Sequence, residues 1–106
     1  MADQDALHPE FADLWGGSQG RIGEGLAAIE RAVGQLEAGA LEEDARAEAE
    51  ARAHKLVGTL GTYGLLRCAT LARELEEAFM GAPREAAPLR AALDELAGRV
   101  AGVRGD

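Results

Sequence analysis

Few side chains in this 106-residue sequence are equipped for chemistry. It has two histidines, His8 and His54, one cysteine, Cys68, and a single serine, Ser18. Of these, imidazole is the most versatile group near neutral pH, because its neutral form is nucleophilic and its two nitrogens can take different tasks. The direction in which each histidine points therefore matters more than its presence. His8 precedes Pro9 at the ragged start of a first helix and reads as a solvated helix-entry residue. His54 lies mid-way along a second helix. At about 100° per residue, Ala45, Ala49, Ala53, Leu56 and Leu60 gather on one side of that helix, and His54 falls roughly 140° from their centre. It points away from the core.

The surroundings of His54 are unusual for an exposed face, which normally carries long charged side chains. Ala47, Ala51, Gly58 and Gly61 share its side of the helix, with Glu50 and Val57 on one flank and Lys55 on the other. Glycine in a helix costs roughly 1 kcal/mol relative to alanine. Two readings stand side by side: Gly58 and Gly61 clear space for another protein to reach the imidazole, or they merely fray the helix before a turn. The remaining candidates are weaker. Ser18 has no nucleophilic triad around it. Cys68 falls on the apolar side of a third helix and reads as a packing residue. Two distant histidines and one cysteine form no metal-ligand cluster, so neither a metal nor another cofactor is expected.

The elements that must hold His54 are helices throughout. Phe11, Trp15, Ser18, Ile22, Leu26 (or Gly25), Ile29, Val33 and Leu36 recur in steps of four and three, a stripe that faces partner helices. Glycines in the same segment predict a bend, fraying or a break near Gly16–Gly20. Leu65, Cys68, Ala72, Leu75 and Phe79 mark the third helix, and Leu89, Leu93, Leu96, Val100 and Val103 the fourth. With breaks at Gly39, Gly61 to Gly64 and Gly81-Ala82-Pro83, the spacing predicts helices over about 9–38, 42–61, 65–80 and 84–103. The expectation is an all-α fold, an antiparallel four-helix bundle forming one domain over 1–106 with a frayed tail from Gly102. A net charge of -8 argues against nucleic acid and against anionic membranes. A lone cysteine, Cys68, which cannot form an internal disulfide, the lack of any apolar run of bilayer length and the lack of a signal-peptide pattern in Met1–Asp5 predict a cytoplasmic setting.

The run Ala53-His54-Lys55-Leu56-Val57-Gly58-Thr59-Leu60-Gly61-Thr62-Tyr63-Gly64-Leu65 resembles the signature of histidine phosphotransfer (HPt) domains, and is similar also to the phosphoacceptor domain of chemotaxis histidine kinases. Leu71-Ala72-Arg73-Glu74-Leu75-Glu76 is similar to the family's third helix. The resemblance implies a monomeric phosphorelay carrier that is not an autonomous enzyme. In that reading His54 is the phosphoacceptor, and the partners are a response-regulator receiver domain, a histidine kinase, or both. It implies that Glu76 orients His54 through a hydrogen bond to Nδ1, against the alternative of a solvated glutamate pairing with Arg73. Ala47, Glu50, Ala51, Val57, Gly58 and Gly61 then form the partner-binding face. One departure stands out: the family usually carries lysine three residues after its histidine, where this chain has Val57. Lys55 could meet phosphate or partner from the other flank, about 100° around the helix. A non-catalytic helical interaction module, a degenerate relative, is the competing reading.

Overall fold

The computed structural model describes Leu7 and residues 9–103. His8, the N-terminal residues 1–6 and the end of the tail, 104–106, lie outside the described residues, and with them the expectation for His8. A short 3-10 turn, Pro9–Phe11, leads into α1 (Ala12–Glu37), followed by α2 (Glu43–Thr62), α3 (Leu66–Met80) and α4 (Ala87–Ala101). The described residues contain no strand, and the architecture is an all-α four-helix bundle. Each helix packs on its chain neighbours and α1 also packs on α4, which leaves α2 and α4 on a diagonal.

The apolar stripes explain this arrangement. All five expected α2 positions, Ala45, Ala49, Ala53, Leu56 and Leu60, are buried. They meet Trp15, Ile22, Ile29 and Val33 of α1, Cys68, Leu71, Leu75 and Phe79 of α3, and Leu89, Leu93 and Leu96 of α4 in one core. Removing these side chains from water is the main source of stability for such a bundle. Where the α1 stripe allowed Leu26 or Gly25, the glycine faces inward. A Cβ on Gly25 would stand 3.3 Å from Leu56 Cδ1, so glycine lets α1 and α2 approach closely here.

Two expectations are corrected. The first helix neither breaks nor ends near Gly16–Gly20; α1 runs unbroken from Ala12 to Glu37. Trp15, Ser18 and Ile22 are buried along its inner face, and that burial outweighs the helix penalty of the outward glycines. The fourth helix begins at Ala87, not Arg84. A helix starting at Arg84 would set the Pro88 ring against that residue's carbonyl, whereas a start at Ala87 puts Pro88 in the first turn, where no N–H is needed. The helix stops at Ala101, with the Gly102 N–H capping carbonyls of its last turn.

The turn after α2 is tied to the start of α1. Tyr63 is buried, stacks edge-on against Trp15 at 5.1 Å and Phe11 at 5.8 Å, and donates its hydroxyl to the Leu14 carbonyl at 3.1 Å. Ser18 in turn donates to the Tyr63 oxygen. Gly64 follows with φ of 82°, a left-handed conformation that glycine adopts without steric cost and that swings the chain into α3.

Candidate functional site

His54 stands on α2 with its side chain 74% exposed, one residue after the buried Ala53. Its Nδ1 lies 2.7 Å from Oε2 of Glu76 on α3. The Glu76 side chain is only 14% exposed, so the carboxylate is held under the imidazole and not free in solvent. An ionised carboxylate can only accept, so Nδ1 carries the proton and donates it. In the neutral ring this leaves Nε2 unprotonated, with a lone pair and no hydrogen bond among the described residues. The arrangement is a nucleophile with one nitrogen anchored and the other open.

The sequence-predicted neighbours divide between two sides. Glu50 and Val57 lie towards α3. Val57 is half-buried against the core. Glu50 accepts a 2.7 Å hydrogen bond from Arg46, which also bonds Glu43 and donates to the Phe79 carbonyl of α3 at 2.8 Å. Glu50 thus belongs to a brace between α2 and α3. Lys55 lies towards α1. There it lines an open groove of about 680 Å³ together with Arg21, Arg52, Gly58, Phe11 and Leu14. Ala47, Ala51, Gly58 and Gly61 are exposed, and a Cβ added at Gly58 or Gly61 would meet nothing within 4 Å. Beside the imidazole the helix surface is low and unobstructed.

Sequence reasoning missed the groove. Its signal was present in Arg52 and Lys55, three residues apart on one face of α2, but the partner face on α1 could not be assigned without the packing of Gly25 against Leu56. Among the described residues no three histidine, cysteine or carboxylate side chains gather to hold a metal ion. No described helix is long and apolar enough to cross a membrane.

Residues 21–105 match the Hpt domain family. The chain belongs to that family. Membership carries histidine phosphotransfer in phosphorelay signalling as its general function, and Hpt domains are phosphocarriers and not classical enzymes. No curated protein and no solved structure matches the chain. The matched span contains α2, α3 and α4 whole, and with them His54, Glu76 and the α2–α3 turn.

Proposed function

We propose that His54 is the phosphoacceptor of a cytoplasmic phosphorelay carrier. It takes a phosphoryl group from a receiver-domain aspartyl-phosphate or a histidine kinase and passes it to a receiver domain. The observation that carries this reading is the exposed imidazole anchored at Nδ1 by Glu76, 2.7 Å away. The Nε2 lone pair attacks phosphorus in line. An N–P bond forms as the P–O bond to the aspartate breaks, and the bonding pair leaves with the carboxylate. As positive charge develops on the ring, Glu76 stabilises it through the Nδ1–H bond. The onward step is the reverse reaction on a second aspartate. Mg²⁺ and the cationic clamps that phosphoryl transfer requires belong, in this proposal, to the receiver or kinase.

Ala47, Ala51, Gly58 and Gly61 form the surface on which the partner seats, with Glu50, Val57 and Lys55 at its borders. The competing reading, a binding module that no longer transfers phosphate, is favoured by Val57 alone. Incubation with a phosphorylated receiver domain separates the two. The expected result is label on the wild-type chain that is lost in acid and survives alkali, and no label on His54→Gln. Label persisting on that variant overturns the assignment.

A further inference from the structure

A phosphoryl group on His54 would carry two negative charges into an acidic chain, so the position of nearby cations decides how well it is held. Val57 offers none. Lys55 lies on the α1 side of α2, lining the groove, while His54 leans to α3. The α3 side therefore has to be searched.

The contact between His54 and Glu76 gives the register of α2 against α3, and the brace from Arg46 to Phe79 shows that the two helices run antiparallel. Three residues along α2 from His54 is Val57; three residues back along α3 from Glu76 is Arg73. Both steps travel about 4.5 Å in the same direction, so Arg73 stands level with Val57. It also lies about 60° around α3 from Glu76, turned further from the core. Arg73 is exposed and, among the described residues, holds no ion pair or side-chain hydrogen bond. Of the two carboxylates one turn on, Glu76 is engaged with His54 and Glu77 makes no ion pair with Arg73. The arginines that brace the fold are all committed: Arg46 to Glu43 and Glu50, Arg67 to Glu95, Arg90 to Glu30 and Glu37.

We propose that Arg73 is the cation that meets the phosphoryl group on His54, supplying from α3 the positive charge that Val57 does not supply from α2. A planar guanidinium presents two parallel N–H donors to phosphate oxygens, a better match than a point charge.

The inference rests on His54 as the phosphoacceptor, and the test keeps the two apart. Phosphoramidate is a partner-free probe: Nε2 attacks its phosphorus, the N–P bond to the ring forms and ammonia leaves. Wild type, Arg73→Ala, Arg73→Lys and the double variant Arg73→Ala/Val57→Lys are labelled and followed by ³¹P NMR across pH, with circular dichroism to confirm folding. In Arg73→Ala, labelling is expected to slow about tenfold, the loss of one charge-assisted contact. The phosphoryl ionisation should move to higher pH, because a nearby cation favours the dianion. Arg73→Lys should recover part of both effects, and Val57→Lys in the alanine background should restore them. If wild type is labelled at His54 and Arg73→Ala matches it, the role of Arg73 is overturned and the phosphoacceptor stands. A slowed Arg73→Ala that Val57→Lys fails to restore overturns it equally. If wild type takes no label, the reading of His54 fails first.

Discussion

Two charged clusters in this bundle use similar groups to opposite ends. At the α1–α4 seam, all five N–H donors of Arg90 are engaged, by Glu30 at 2.7 Å, by Glu37 at 2.8 and 2.9 Å, and by Asp94 at 3.3 Å. On the α2–α3 face, the base is His54 and the acid Glu76, but only one of the two ring nitrogens is bonded. The first cluster closes on itself: its electrostatic interactions have no free partner to offer and they hold helices together. The second is left open by one atom. What separates the brace from the site we propose to be reactive is therefore not charge, nor the presence of an ion pair, but whether every polar atom is satisfied.

The sharpest way to break that comparison is to remove the open atom. His54→Gln should abolish phosphoryl label entirely while leaving the helical circular dichroism unchanged, since a side chain 74% exposed contributes little to packing. A loss of helix in this variant would mean that His54 is a structural residue and that the contrast with Arg90 is false.

Next in size is the approach to that atom. Gly58→Gln places a long side chain one turn beyond His54 on the open face, where nothing lies within 4 Å of a Cβ. Transfer from a receiver domain should slow on the order of a hundredfold, the scale of a misplaced reaction centre. The fold should be unharmed, and Gly58→Ala should stabilise by up to about 1 kcal/mol, as an ordinary helical glycine predicts. Wild-type transfer by Gly58→Gln would reduce Gly58 to a weak point in the helix.

The anchored nitrogen comes third. Glu76→Gln replaces an acceptor that fixes the tautomer with an amide that can donate to Nδ1 as well as accept from it. About fivefold slower transfer should follow from weakening one hydrogen bond, and ¹⁵N NMR should show a mixed population of ring tautomers where wild type should show protonation at Nδ1 alone. If both the rate and the tautomer stay as they were, Glu76 does not position His54.

How much of this was legible in the sequence depends on whether one helix or two had to be known. The outward face of His54 needed only the helical period, and the five core positions of α2 were readable by the same arithmetic. The choice between Leu26 and Gly25 needed α2, because only the approach of Leu56 decides which of them faces in. The pairing of Ser18 with Tyr63 joins residues far apart in the chain, so no local pattern announces it. The start of α4 was legible in principle: Pro88 alone forbids a helix from Arg84. The unbroken α1 was not, since local propensity there opposes the burial of Trp15 and Ile22, and burial wins. The distance between His54 and Glu76 belongs to the same class, because periodicity places each on a face and says nothing of which faces meet.

The smallest effect should come from the closed cluster, and its direction can be worked out in advance. Hydrogen bonds from Arg90 hold the Glu30 and Glu37 carboxyls below their ordinary range, and the guanidinium itself is held more firmly protonated. A carboxylate whose ionisation is depressed in the folded state stabilises it at pH values above the ordinary range, and that contribution is lost as pH falls through the depressed values. Arg90→Met should therefore lower the melting temperature by a few degrees at neutral pH, with the gap to wild type narrowing below about pH 4 as the glutamates of both proteins become protonated. The effect stays small because Glu30 and Glu37 are 54% and 42% exposed, where solvent and salt screen the attraction, and added salt should shrink it further. Phosphoryl transfer to His54 should be unchanged, since Arg90 bonds only α1 and α4 carboxylates while His54 is held from α3 by Glu76. A melting difference that persists undiminished into acid would show that Arg90 acts through the packing of its aliphatic stem and not through its closed set of donors.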